Sequence, residues 1–297
     1  MDETLRLRSY LEWSSRGKSG LLRYLGGSVL IFLIFFVLGG IGLIPIALFF
    51  PGYADSLVGA NAAILSTFVI PFFGIPLVVW LVNGRPFWSV AMPRATIDLR
   101  GLLIGFGLAL VVGSLTVAVC GVVGVLHFEV VGIDWGVWLP LLLIGLVGIF
   151  IQASSKEMFF RGYLTQFARR FTANPCVFLA IPAVLFALLH IANVAALGGG
   201  LVAAVPYLVE GLVYGWVAYR TGALWMSVGI HGCNNLTGLV LIGLRGDVLK
   251  TAAPVQFDLP GLWASTLVIL AQALVLVSVV YLLTRPRFHS LAQDSAA

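Results

Sequence analysis

Charge is what this sequence has least of. Asp, Glu, Lys and Arg together make up 10% of its 297 residues, against about 25% in soluble globular proteins, so a water-facing surface over most of the molecule is excluded. Cysteine is nearly absent as well. The three present, Cys120, Cys176 and Cys233, lie in or beside apolar runs with neither zinc spacing nor the density of a disulfide framework. Cys233 sits two residues from His231, a separation that turns the two side chains apart on a helix, so it reads as a small buried packing residue. No His-Glu-x-x-His pair occurs, no repeat of 20–50 residues is visible, and low complexity is confined to Gly198-Gly199-Gly200. Residues 1–21 are polar and do not open like a secretory signal. The first apolar run exceeds a signal core of about 7–15 residues and is expected to stay in place as a membrane span.

What remains is apolar. Hydrophobic residues make up 60% of the chain and mean hydropathy is +1.06, the composition of a polytopic membrane protein. The expected fold is all-α, a single transmembrane helical bundle over residues 24–284, between a cytoplasmic tail at 1–23 and another at 285–297. Eight spans are predicted, at 24–49, 57–82, 101–126, 136–167, 175–192, 197–219, 222–244 and 260–284. The fifth is short and is expected to end inside the bundle near His190. Stretch 83–100, with Pro86, Trp88 and Pro93, fits an interfacial loop or short surface helix.

The basic residues set an orientation. Arg6, Arg8, Arg16, Lys18 and Arg23, then Arg85, Arg94 and Arg100, then Arg169, Arg170 and Arg220, then Arg285 and Arg287 all fall on one side; Arg245 and Lys250 fall on the other. That asymmetry predicts both termini in the cytoplasm and an even number of crossings. Because these residues are scattered singly over loops, the net charge of +5 is assigned to the bilayer and not to nucleic acid.

Four polar side chains stand where hydrocarbon disfavours them: Glu157, His190, His231 and Asn235. A charged group at a helix centre costs roughly 2.5–3.5 kcal/mol on insertion scales, so such residues tend to mark a site or a pathway. Glu157 and Arg161, Phe186 and His190, and His231 and Asn235 are each four apart, which places each pair on one helix face. At 1.5 Å per residue the four lie at similar depth, measured from the nearest cytoplasmic loop. A lone histidine in such a run is ordinarily a satisfied core residue; two at one depth, with an acid and an amide, favour a shared polar chamber. Glu210 reaches mid-membrane depth too, and reads first as a structural hydrogen-bond partner. His127 and His289 fall in loops.

Glu157-Met-Phe-Phe-Arg161-Gly162, Phe186-x-x-x-His190, and Thr221-Gly-Ala-Leu-Trp225 leading to His231-x-x-x-Asn235 resemble the CPBP (Abi) family of intramembrane proteases, which includes type II CAAX prenyl endopeptidases. The resemblance covers roughly residues 100–245. It implies an intramembrane endopeptidase that hydrolyses a peptide bond of a membrane-anchored peptide or protein, a prenylated one among the options, by an activated water. His190 would help activate that water, His231 and Asn235 would stabilise the oxyanion, and Glu157 would pair with Arg161.

The family motif begins Glu-Glu, and here its first position is Lys156. A protonated lysine has three donors and no acceptor, so it holds a water without taking its proton. Only a neutral amine could serve as the base. Otherwise Lys156 stands for a natural loss of activity or for a change introduced into an enzyme whose own residue is Glu. Zinc, with Glu157, His190 and His231 as ligands, is the less favoured cofactor, since Lys156 would repel it. A non-catalytic pseudoprotease acting as a membrane binding or scaffold protein is the alternative reading, and a proton-coupled carrier a distant third.

Overall fold

The computed structural model describes residues 7–191, 204–258 and 261–293. Its helices follow the apolar runs. In the first, α1 (Leu21–Phe36) gives way to a 3-10 segment over Leu38–Gly42 and then to α2 (Leu43–Phe49). The second comprises α3 (Leu57–Ser66) and α4 (Val69–Asn83), and the third is α5 (Leu99–Val122). The fourth runs through α6 (Trp135–Glu157), a π-helical stretch over Met158–Leu164, and α7 (Thr165–Arg169). Next come α8 (Pro175–Leu189), α9 (Val205–Thr221), α10 (Trp225–Val240) and α11 (Leu262–Gln293).

Short polar side chains start these helices by accepting from backbone N–H groups that have no intrahelical partner. Ser56 accepts from Gly59 N at 3.0 Å, Asp98 from Gly101 N at 2.8 Å, Asp134 from Gly136 N at 2.9 Å and Asn174 from Cys176 N at 3.0 Å.

Five elements among the described residues are long and apolar enough to cross a bilayer: Leu21–Phe49, Leu57–Asn83, Leu99–Val122, Trp135–Arg169 and Ala264–Thr284. The protein is therefore a multi-pass, all-α membrane bundle. Leu22, 82% exposed, and Val122, 89% exposed, show the inversion expected when lipid is the solvent. The three shorter helices, α8, α9 and α10, overlap the other three predicted stretches but are not among the five elements long enough to cross. α8 ends where the sequence suggested, at Leu189, with His190 as its C-cap. The start of the sixth predicted span and Gly198–Gly200 lie outside the described residues.

α10 occupies the middle of the bundle, packed on α5, α6 and α9, and its contact with α5 is the most extensive of any helix pair described. Two glycines permit it. A Cβ at Gly105 would lie 2.2 Å from Met226 O, and one at Gly229 would lie 2.1 Å from Leu102 O. Between apolar helices in lipid, such close backbone approach supplies van der Waals attraction where no hydrophobic drive exists.

The segment before the first helix is not a loose tail. Ser9 caps a 3-10 turn over Tyr10–Ser15 in a capping box with Glu12. Tyr10, Leu11 and Trp13 are buried. Tyr10 N donates to Gly222 O at 2.9 Å, Gln166 Nε2 donates to both Tyr10 O and Ser89 O, and Trp13 Nε1 donates to Pro93 O. Arg85 Nη1 adds a bond to Trp13 O at 2.6 Å. Burial pushes the Tyr10 phenol well above its ordinary titration range, so the cap contributes no charge there. The turn after Pro86 is a 3-10 helix over Phe87–Val90, the short surface helix expected of that stretch.

At the other end a small sheet joins two loops, the one between α5 and α6 and the one between α10 and α11. β1 (Phe128–Val130) pairs antiparallel with β3 (Val255–Phe257), which pairs parallel with β2 (Ile242–Leu244). Arg245 clamps it from outside by ion pairs to Glu129 and Asp258.

Candidate functional site

The fourth apolar element delivers the first motif. In the π-helical stretch that follows Glu157 the backbone bonds run one residue wider than in an α-helix, a feature frequent at functional sites. Glu157 itself is fully buried and faces α10. Ser227 Oγ donates to Glu157 Oε2 at 2.5 Å, and His231 Nδ1 donates to Glu157 Oε1 at 2.8 Å. Ser227 and His231 are themselves one turn apart, so a single face of α10 meets one carboxylate.

Arg161 Nη1 lies 3.2 Å from Glu157 Oε1, the ion pair expected from their spacing. The guanidinium is almost completely buried, and neither of its Nη groups makes a hydrogen bond among the described residues. Aromatic faces hold it instead: Cζ lies 4.3 Å from the Phe186 ring centroid and 5.2 Å from that of Tyr214. Tyr214, on α9, also stacks on His231 at 5.3 Å and its hydroxyl accepts from Asn234 Nδ2 at 2.7 Å. Acid, guanidinium, imidazole and phenol thus form one closed cluster.

His190 stands beside that cluster, on the other side of Phe186. The Phe186 ring lies 4.3 Å from His190 and 6.5 Å from His231. His190 Nδ1 is 2.7 Å from Phe186 O. A carbonyl only accepts, so Nδ1 carries the hydrogen and Nε2 keeps its lone pair. Tyr207 stacks on the imidazole at 4.5 Å.

Lys156 turns away from its neighbour Glu157. Its Nζ sits 5.4 Å from the Phe68 ring centroid, and together with His190 it lines a cavity of about 380 Å³ walled by Phe35, Phe36, Phe68, Phe159, Phe160 and Leu189. Asn235 reaches α6 one turn before that lysine: its Nδ2 donates to Gln152 Oε1 at 2.8 Å. Glu210 lines a second, smaller void of about 40 Å³ with Tyr214 and Asn234, room for on the order of one water. Cys233 is buried among Ala109, Val213 and Ile230, as its spacing suggested.

The sequence-predicted residues are therefore brought to one region in two groups, Glu157–Arg161–His231 in the closed cluster and Lys156–His190 at the cavity, with Asn235 tied in through Gln152. Ser227, Tyr214 and Gln152 were missed. Signals existed: Ser227-x-x-x-His231 and Gln152-x-x-x-Lys156 repeat the four-residue spacing in otherwise apolar helices. As zinc ligands the residues do not fit. Among the described residues no three of His, Cys, Asp and Glu converge, and both Glu157 oxygens already have partners.

The fold and this cluster define a multi-pass membrane protein with a polar chamber assembled from the fourth apolar element and the short helices α8, α9 and α10. Comparison with known proteins agrees with the motifs. The family model described as "Type II CAAX prenyl endopeptidase Rce1-like" matches residues 134–237, which hold every residue of the chamber named above except the aromatic wall from the first two spans. The chain is also 31% identical over 188 residues to the uncharacterized protein YyaK of Bacillus subtilis (strain 168), covering 62% of this chain and 61% of that protein. No solved structure matches.

Proposed function

We propose that this protein is an intramembrane endopeptidase of the CAAX-protease type, residing in the cell membrane with both termini cytoplasmic, whose hydrolytic step is impaired because Lys156 occupies the position of the motif's first Glu. The substrate is a membrane-anchored peptide, with prenylated CAAX proteins as one class to test. The observation that carries this reading is the pairing of two neighbours, Lys156 and His190, on one cavity beside the Glu157–Arg161–His231 cluster.

The proton inventory follows from the hydrogen bonds. His190 Nε2, the nitrogen not engaged by Phe186 O, is the available acceptor for a water proton. The hydroxide so formed adds to the scissile carbonyl, and the negative charge then moves to the carbonyl oxygen. When the carbonyl re-forms the C–N bond breaks, and the proton held on His190 Nε2 passes to the departing amine. His231 has Nδ1 committed to Glu157, so its Nε2 carries a hydrogen to donate only when the ring is doubly protonated. Asn235 keeps a second N–H beyond its bond to Gln152. These two are the oxyanion donors of the scheme. Glu157 and Arg161 hold His231 in place and do not touch the reacting atoms. A carboxylate at position 156 would supply a second acceptor for the attacking water. An ammonium there supplies only donors.

The test is cleavage of prenylated and membrane-anchored peptides by the purified chain and by its Lys156→Glu variant. The variant is expected to gain at least a hundredfold, the lower end of what a placed general base contributes. Equal rates would remove the role given to position 156. The second reading, a binding or scaffold protein that keeps the chamber without the reaction, also takes its support from Lys156. It predicts that His190→Ala and His231→Ala leave the cellular phenotype unchanged.

A further inference from the structure

The cavity at Lys156 has a composition that a hydrolytic chamber does not require. Its wall is six parts hydrocarbon or aromatic, and its one cation is Lys156. Two of the wall residues, Phe36 and Leu189, are 58% and 38% exposed, so part of the apolar wall is left uncovered by the described residues. It lies against the break between α1 and α2, where Gly40 contributes to the lining. The lysine itself is half-buried and has no carboxylate within ion-pair distance among the described residues; its Nζ faces the Phe68 ring. Thr67, the remaining polar residue besides His190, spends its hydroxyl hydrogen on Ile64 O at 2.7 Å.

An ammonium at such depth, next to ring faces, has no carboxylate in direct contact among the described residues; Glu210, Asp247 and Glu157 attract it only from beyond ion-pair distance. We propose that this cavity is a binding site for a single-chain amphiphile with one negative charge, a long-chain fatty acid, whose carboxylate pairs with Lys156 and whose tail lies along the Phe35, Phe36, Phe159 and Phe160 wall toward the bilayer. One lysine matches one carboxylate. A phosphate monoester brings more charge and more acceptor oxygens than a single ammonium and a neutral imidazole can satisfy. The volume, about 380 Å³, falls at the lower end of small-ligand pockets, roughly 300–1,000 Å³, so it houses the head and the first part of a tail while the remainder stays in lipid. This goes beyond the endopeptidase reading and does not depend on it: the ligand binds whether or not a peptide is ever cut.

The experiment is equilibrium binding to the full chain in lipid nanodiscs. Fluorescent cis-parinaric acid serves as the probe, and palmitate, hexadecanol and lysophosphatidic acid as competitors. Palmitate is expected to displace the probe at a concentration at least tenfold lower than hexadecanol, a difference of about 1.4 kcal/mol. Lys156→Arg should keep that preference, and Lys156→Met and Lys156→Glu should erase it. Equal competition by palmitate and hexadecanol in the unmodified chain overturns the proposal without recourse to any variant. So does an undiminished preference in a folded Lys156→Met protein, and tighter binding of lysophosphatidic acid overturns the carboxylate assignment. Because Lys156→Glu reports hydrolysis in one assay and ligand loss in the other, failure of either idea is visible separately.

Discussion

Lys156 and Glu157 are adjacent in sequence and opposite in circumstance. Glu157 is fully buried, with Ser227 and His231 donating to its two oxygens and the Arg161 guanidinium in ion-pair contact. Lys156, about 100° further back around the helix, meets an aromatic ring and a cavity. The difference separates what a charge does for structure from what it does for binding. A buried charge in contact with its partners is part of the scaffold, whereas one facing a void with no ion-pair contact is available to a ligand.

The strongest way to break that contrast is to remove the charges in turn. Glu157→Ala strands Arg161 in a buried site and is expected to cost about 3–5 kcal/mol, read as a lowered midpoint of thermal unfolding in detergent. Should it melt with the unmodified protein, the cluster is not the scaffold described. Ser227→Ala deletes one hydrogen bond to the carboxylate and should lose about 1.5–3 kcal/mol by the same measurement. Tyr214→Phe keeps the stack on His231 but drops the bond to Asn234, for about 0.5–1.5 kcal/mol; a larger fall would assign the phenol a wider role. Lys156→Met should stay within about 0.5 kcal/mol of the parent. A loss there as large as that of Ser227→Ala would mean Lys156 is as structural as its neighbour.

Much of the helical plan could be read from the sequence because long apolar runs leave few alternatives in lipid. The end of α8 at Leu189 and the Glu157–Arg161 pairing came from length and four-residue spacing. Other features had no readable period. Three-residue strands such as Val255–Phe257 are too short to show alternation, so the small sheet was not foreseen. The cap over Tyr10–Ser15 was concealed because its buried residues, Tyr10, Leu11 and Trp13, sit in a segment that composition marks as polar. Within the site, spacing grouped residues on single helices, but only packing could join different ones: nothing in the order of residues shows that Ser227 meets Glu157, that Asn235 meets Gln152, or that Lys156 and His190 share a cavity.

The π-helical stretch over Met158–Leu164 links the chamber to the N-terminal cap. Downstream of it, Gln166 holds the carbonyls of Tyr10 and Ser89. Trimming one residue from that wide turn would swing every later side chain by about 100° and uncouple Gln166 from both carbonyls while leaving Glu157 where it is. This short stretch therefore behaves like a gear tooth, setting the phase between the buried chemistry and the strap that closes the bundle, and it should tolerate changes of residue far better than changes of length.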